Sequence, residues 1–201
     1  MPVTLGPGSA SNAGYAPLAT ALAAEPRPRV RAMAPRQHTL VVIRHAKAEQ
    51  VAATDLEREL TDQGRADAAA AGEWLAAAGV RPDHAVVSAA LRAAQTWEAL
   101  AGGAGWSLDA DLDPGLYSAG PDTALDLVRE VDEGNGTVVL VGHNPTMAVL
   151  AQLLDDGEGD VEAGNAMATG FPPSAVAVFV VEGDWADLEV ARLTGFHVGR
   201  G

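Results

Sequence analysis

Short apolar runs alternate with longer segments of helical spacing along most of this chain. Three runs, residues 39–43, 85–87 and 137–141, are continuous and rich in valine, isoleucine and leucine. An uninterrupted run of this length is typical of a strand that is covered on both faces, whereas a half-exposed strand alternates apolar and polar positions. The pattern therefore predicts buried parallel strands.

Helical patterns separate these strands. The clearest begins at Thr61, a candidate N-cap, and stops before Gly79, which is suited to a helix C-terminus. Further helices are predicted over residues 91–100, 122–131 and 145–154. In the last of these, Pro145 suits the first turn and Asn144 could act as the N-cap.

The end of the chain carries a different signal. Residues 176–181 and 188–193, separated by Gly183 and Asp184, predict a closing antiparallel pair of strands. Together with the alternating strands and helices, this pair predicts an α/β fold, a three-layer αβα sandwich with a mostly parallel central sheet and an antiparallel edge.

The first part of the chain lacks either periodicity. Residues 1–37 are rich in proline, glycine and alanine and predict a mostly irregular tail, followed by one domain over residues 38–201. Residues 17–24 faintly resemble a signal sequence but have no basic start and no long apolar centre, so we predict a cytoplasmic protein. No apolar stretch is long enough for a membrane helix, and no membrane partner is predicted.

The composition of the chain excludes several kinds of partner and catalytic site. The chain has a net charge of −14 and no cysteine. The tail carries +3, so the domain carries −17, which argues against nucleic acid as a partner and requires a locally positive pocket for any anionic substrate. The absence of cysteine excludes thiol nucleophiles and thiolate zinc sites. No His, Asp or Glu pair has the spacing of metal ligands on one helix face, so no metal site is predicted.

Charged side chains follow the predicted strands. Arg44 and His45 end the first strand, Arg92 lies near the start of the helix after the second, and His143 follows the third. Because ligands in open α/β sheets bind beyond the carboxyl ends of the strands, these four side chains are expected to converge. The helix N-termini at that edge add backbone N–H donors, which suit a phosphate group.

The residue types indicate phosphoryl transfer without a metal. Arg44 and Arg92 can each bind two oxygens of a transferring phosphoryl group. A neutral imidazole can attack phosphorus, and we assign that attack to His45, which would give a phosphohistidine intermediate. His143 would then hold the same oxygens as a charged or hydrogen-bonding group.

Four segments in order resemble the histidine phosphatase superfamily, and their spacing is most like its compact SixA-type branch of phosphohistidine phosphatases. These segments are residues 41–49, 60–65, 88–96 and 141–145. The resemblance implies a phosphoglycerate-mutase-like fold with a minimal cap, no cofactor, and a catalytic core of two arginines and two histidines. These are Arg44, His45, Arg92 and His143 in this chain. Ala46 and Ala89 depart from the usual glycine and proline of the superfamily without removing a charge.

Four further side chains are candidates for substrate binding. Arg58 could reach a phosphate or form a salt bridge with Asp55 or Glu59. Lys47 could add positive potential at the pocket mouth or be an ordinary surface lysine. The other two are Ser88, which could orient Arg92 or cap the next helix, and Asn144.

The resemblance leaves the general acid open. Many members of the superfamily that cleave phosphate esters protonate the leaving oxygen with a carboxylic acid, and no aspartate here stands in a matching context. The candidates are Asp109, Asp111, Asp113 and Asp122. Without an acid and a cap, the favoured substrate is a protein that carries phosphohistidine. The alternatives are a small-metabolite phosphomonoesterase and a non-catalytic phosphate-binding module, and the oligomeric state stays open.

Overall fold

The computed structural model describes residues 1–4, 6 and 36–201, and all its regular secondary structure lies in the last range. The predicted irregular tail falls largely outside the described residues. Its final residue, Gln37, already belongs to the first strand.

The described chain contains one six-stranded sheet. Its strands are β1 (Gln37–Arg44), β2 (His84–Ser88), β3 (Asp111–Asp113), β4 (Thr137–Gly142), β5 (Ala175–Glu182) and β6 (Arg192–Val198). The strand order is β3-β2-β4-β1-β5-β6. The pairs among β1, β2, β3 and β4 are parallel, whereas β5 runs antiparallel to both β1 and β6.

In the described residues, five α-helices cover the two faces of this sheet. They are α1 (Asp62–Ala77), α2 (Leu91–Ala104), α3 (Pro121–Arg129), α4 (Thr146–Leu154) and α5 (Val161–Ala168). Leu75 of α1 and Leu100 of α2 belong to one buried cluster, and Leu150 of α4 and Met167 of α5 belong to the other. The structure confirms the predicted αβα sandwich.

Strand β1 explains why the apolar runs are continuous. Val41 and Ile43 lie in the cluster with α1 and α2, whereas Leu40 and Val42 lie in the cluster with α4 and α5. Successive side chains of a strand point to opposite faces, so a strand between two helical layers needs an apolar residue at each position. All four side chains are fully buried.

Several predicted boundaries were wrong. Residues 188–191 are not part of the last strand, because Trp185–Asp187 forms a short 3-10 turn and β6 begins at Arg192. Trp185 and Leu188 are buried in the core, so the apolar character of this segment reflects a packed turn. The short strand β3 and helix α5 were not predicted.

Strand pairing fixes where the functional loops begin. Arg44 of β1 lies opposite Gly142 of β4, and Val87 of β2 lies opposite Val141 of β4. The three neighbouring strands therefore end together, and the segments that follow them leave the sheet at the same edge.

Candidate active site

His45 lies at the end of β1, where its backbone N–H donates to the carbonyl oxygen of Gly142 over 2.9 Å. Its Nδ1 is 2.7 Å from the carbonyl oxygen of Ala46, which can only accept, so Nδ1 carries the proton. The Nε atom of Arg92 donates to the other ring nitrogen, Nε2, over 3.3 Å. The ring is thus held with a lone pair on Nε2.

The surroundings keep this imidazole neutral. Burial is the largest effect on the pKa of His45, which is lowered to about 3. The hydrogen bond to Ala46 opposes this shift, whereas the nearby His143, Arg92 and Arg44 add to it. At neutral pH the ring therefore offers an unprotonated nitrogen, which is the form that a nucleophile requires.

His143 follows β4 and faces the same space. Its ring centroid lies 5.0 Å from that of His45, and the two ring planes are inclined by 58°. Its Nε2 is 2.8 Å from the hydroxyl of Ser88 at the end of β2, while Nδ1 is buried without a hydrogen-bond partner in the described residues. Burial, followed by the charge of Arg92, lowers the pKa of His143 to about 4.

Arg92 is the second residue of α2 and is only 6% exposed. One side of its guanidinium contacts His45 through Nε. The opposite side binds Asp55, with Nη1 donating to the backbone oxygen over 2.7 Å and Nη2 to the carboxylate Oδ2 over 3.0 Å. These three bonds fix the planar group in one orientation.

Arg44 completes the positive cluster. Its Nη1 donates to the carbonyl oxygen of Phe171 over 3.0 Å, whereas its Nε is buried without a partner in the described part of the chain. Burial lowers the pKa of this guanidinium, and its charge in turn lowers the pKa of both histidines. A buried N–H donor without a partner is costly, and a bound anion would satisfy it.

Two residues of this site were not recognised in the sequence. Asp55 begins a 3-10 turn (Asp55–Glu57) in the loop after β1, and Tyr117 ends another (Gly115–Tyr117) before α3. The Tyr117 hydroxyl donates to Asp55 Oδ2 over 2.7 Å, and its ring packs edge-on against that of His143 at 5.5 Å. The available signals were that Asp55 precedes Arg58 by three residues and that the chain has only two tyrosines.

Asp55 is an anion in this arrangement. Hydrogen bonds from Tyr117 and Arg58 hold the pKa of its carboxyl well below the usual range, and the Arg92 guanidinium adds to the effect. A carboxyl group that is ionised at neutral pH accepts hydrogen bonds but has no proton to give to a leaving group.

Of the additional predicted residues, Arg58 lies beside this centre and Lys47 lies apart from it. Arg58 forms the salt bridge that was one of its two alternatives, with Nη1 2.9 Å from Asp55 Oδ1, and its Nε donates to the carbonyl of Glu49 over 2.6 Å. Lys47 is exposed and lines a separate cavity of about 300 Å³ together with Asp67 and Arg200.

Ser88 and Asn144 differ from their predicted roles. The Ser88 hydroxyl contacts His143 and the backbone N–H of Ala90, at 3.4 Å, but it neither contacts Arg92 nor caps α2, whose N-cap is Ala90. Asn144 does not cap α4, because the helix begins at Thr146 with Pro145 in the cap position. Its Nδ2 instead donates over 2.9 Å to the carbonyl oxygen of Phe171, the same oxygen that Arg44 binds.

The four aspartates considered as general acids are engaged elsewhere or lie apart. Asp111 pairs with His84 at 3.5 Å, and Asp113 Oδ1 accepts from the backbone N–H of Leu116. Within residues 36–201, no hydrogen bond or ion pair joins Asp109, Asp111, Asp113 or Asp122 to the two arginines and two histidines.

The sequence segments around the site have clear structural roles. Thr96 Oγ1 accepts from the backbone N–H of Ala46 and donates to the carbonyl of Arg92, so it joins the loop after His45 to α2. Gln95 Oε1 accepts from the backbone N–H of Leu60 over 2.8 Å. Thr61 caps α1 as predicted, with its side chain accepting from the backbone N–H of Gly64.

Two features are absent from the part of the chain that the structure describes. Within residues 36–201 no helix has the length and apolar character needed to cross a membrane. The same part of the structure contains no group of three or more His, Asp or Glu side chains placed to hold a metal ion.

Comparison with known proteins agrees with this geometry. Residues 40–118 match the sequence profile of the histidine phosphatase superfamily (branch 1). An uncharacterized protein of Mycobacterium tuberculosis is 36% identical over 162 residues, which cover 79% of this chain and 100% of that protein.

Solved structures give the same result. A candidate phosphohistidine phosphatase SixA from Nakamurella multipartitia is 33% identical, with a TM-score of 0.72 and coverage of 81% of this chain and 96% of that one. Another, from Agrobacterium tumefaciens, is 30% identical, with a TM-score of 0.64 and coverage of 82% and 99%. This chain is therefore a phosphatase that belongs to the histidine phosphatase superfamily, in its SixA-type branch.

Proposed function

We propose that this phosphatase works without a metal, through a phosphohistidine intermediate on His45, and removes phosphoryl groups from phosphohistidine residues of a protein. The observation that carries the proposal is the state of the His45 ring. Its Nδ1 is fixed by the Ala46 carbonyl, and its neutral Nε2 lies beside the Arg92 guanidinium.

The first step transfers the phosphoryl group to the enzyme. The His45 Nε2 lone pair forms a bond to phosphorus while the bond from phosphorus to the leaving nitrogen breaks, with that electron pair staying on the leaving nitrogen. Arg44 and Arg92 bind the oxygens on which negative charge accumulates, and His143 lies within the same cluster.

The second step regenerates the enzyme. A water molecule attacks the phosphorus of phospho-His45, the bond to Nε2 breaks, and inorganic phosphate leaves with the water oxygen. The Nδ1–H bond to Ala46 keeps the ring in one tautomer, so the electron pair returns to the nitrogen that attacked first.

The choice of phosphohistidine rests on the leaving group. An alkoxide needs a proton from an acid, but Asp55, the carboxylate at this site, is held as an anion by its three donors. The imidazole of a ring-protonated phosphohistidine leaves as a neutral molecule and needs no acid. The two similar solved proteins are candidate SixA phosphohistidine phosphatases, which supports the same substrate class.

Trapping of the intermediate tests this function. Wild-type protein mixed with a radiolabelled phosphoryl donor and quenched should carry an acid-labile, base-stable phosphate. The adduct should be absent in His45→Ala and retained in the matched control His84→Ala, since His84 lies on β2 and pairs with Asp111. Full activity of His45→Ala would refute the proposal.

A further inference from the structure

Asp55 places a negative charge beside a site that is built to bind an anion. Its carboxylate is 3.0 Å from Arg92 Nη2, on the guanidinium that contacts His45 through its other side. A carboxylate at this point weakens the binding of a phosphate, so another role must explain its presence. One such role is to hold Arg92 in place, but this effect would be equal for all substrates.

We propose that Asp55 is a specificity-determining residue, which accepts a hydrogen bond from the ring N–H of an N-phosphorylated imidazole and disfavours phosphate monoesters. This inference rests on the proposed function, because it assumes that the site hydrolyses phosphohistidine. It goes further by assigning the choice between nitrogen-linked and oxygen-linked phosphate to one side chain.

The carboxylate has an acceptor position left for a substrate. Its Oδ2 accepts from Arg92 and Tyr117, and its Oδ1 accepts from Arg58. A carboxylate offers about four acceptor positions, so one remains in the described structure. The side chain is also 49% exposed, which makes that position accessible.

Exposure indicates where the leaving group of a protein substrate would lie. Arg92 is 6% exposed and His143 is 9% exposed, so the reacting centre is buried while Asp55 is open to solvent. In-line attack by His45 Nε2 places the leaving group opposite that nitrogen. The imidazole of a protein substrate must extend from the buried centre toward solvent, and we infer that it passes this exposed carboxylate, which contacts Arg92.

The chemistry separates the two kinds of substrate. In a ring-protonated phosphohistidine, one ring nitrogen carries phosphorus and the other carries a proton, and that N–H can donate to Asp55. When the N–P bond breaks, the electron pair stays on the first nitrogen and the ring leaves neutral, with the second proton still in place. The hydrogen bond to an anion favours the ring-protonated, reactive form.

A monoester gains nothing from this contact. The ester oxygen has no N–H to offer, so no hydrogen bond offsets the repulsion between the phosphate and the Asp55 carboxylate. The departing alkoxide requires a proton that the ionised Asp55 does not have. Asp55 therefore raises the relative rate for phosphohistidine in two ways.

The test compares two substrates in matched variants. Asp55→Asn keeps the size of the side chain and one acceptor oxygen, replaces the other oxygen by an N–H donor group, and removes the charge. Glu57→Gln is the control, because Glu57 lies in the same 3-10 turn and bonds to Thr54 instead of Arg92. The measured quantity is the ratio of kcat/KM for a phosphohistidine peptide to kcat/KM for para-nitrophenyl phosphate.

We expect this ratio to fall by about 10-fold or more in Asp55→Asn, as for loss of a hydrogen bond to a charged group, because the rate for the phosphohistidine peptide should fall more than the rate for the ester. Glu57→Gln should keep the wild-type ratio. An unchanged ratio in Asp55→Asn would overturn the inference. This result includes an equal fall in both rates, which is expected if Asp55 only holds Arg92 in place. Wild-type protein that does not hydrolyse the phosphohistidine peptide would instead refute the proposed function, and the inference with it.

Discussion

The Nε atom of Arg92 lies 3.3 Å from Nε2 of His45, so a permanent cation contacts the nitrogen that we propose as nucleophile. This contact disfavours protonation of Nε2, because a proton there would bring two positive charges together. It also places the guanidinium beside the position that phosphorus would take. One arginine thus keeps the nucleophile neutral and can neutralise the phosphoryl oxygens.

Replacement of Arg92 by lysine should lower kcat by about 100-fold. A single ammonium group cannot reproduce the two parallel N–H donors of the guanidinium, and the guanidinium stabilises the transition state by roughly 3 kcal/mol. Arg44→Lys should act in the same direction. The control is Arg81→Lys, since Arg81 binds the backbone carbonyls of Ala76 and Val80. Steady-state kinetics with a phosphohistidine peptide measure the effect, and a loss of only a few-fold in Arg92→Lys would contradict the assigned role.

Buried His45 should make folding stability depend on pH. Its pKa is about 3 in the folded protein, against 6.5 for an ordinary histidine. Between these values the unfolded chain binds one more proton than the folded chain, so the free energy of unfolding falls as the pH decreases from about 6.5 toward 3. Above pH 6.5 both states are neutral, and this contribution disappears.

His45→Asn removes the titrating group and should flatten this dependence by about 1.4 kcal/mol per pH unit between pH 6 and 4. Urea denaturation at several pH values measures the slope. His143→Asn should also flatten the curve, but only down to about pH 4, because that is where the folded His143 titrates. Parallel curves for wild type and His45→Asn would show that the His45 ring is not held neutral.

Strand burial explains what could be predicted from the sequence. Strands β1, β2 and β4 lie between two helical layers, so their apolar runs are unmistakable, and parallel strands end at a common edge. The convergence of Arg44, His45, Arg92 and His143 follows from that topology, because each lies at or just beyond a strand end.

Contacts between loops could not be predicted in this way. Asp55 and Tyr117 are 62 residues apart and meet through one hydrogen bond, which no local periodicity encodes. Helix α5 was not predicted, because it is short and contains Gly164 and Asn165, which are poor helix formers. Residues 188–191 resembled a strand because Leu188 is buried there, although it follows the 3-10 turn and lies outside β6.

Ser88→Ala should lower kcat by roughly 10-fold with little change in KM. The Ser88 hydroxyl lies 2.8 Å from His143 Nε2, and its removal leaves that buried nitrogen without a partner and the ring free to turn. An unsatisfied buried polar group costs about 1–3 kcal/mol. If the His143 ring turns away to avoid this cost, a loss of roughly 10-fold in kcat is expected. Ser107→Ala, at an exposed serine, is the matched control. Unchanged kinetics in Ser88→Ala would show that His143 is positioned by other contacts.

Gly64→Ala and Gly102→Ala should have opposite effects, although both change a helical glycine to the best helix former. A Cβ on Gly64 would clash with the backbone carbonyl oxygen of Lys47, two residues after His45, whereas a Cβ on Gly102 would meet no atom within 4 Å. Gly64→Ala should therefore destabilise the protein by about 1–3 kcal/mol and lower activity by displacing the loop after β1. Gly102→Ala should stabilise it by about 0.5–1 kcal/mol with normal activity. Urea denaturation and kcat/KM for the pair measure both effects, and equal stability of the two variants would show that α1 does not need this close approach to hold the active-site loop.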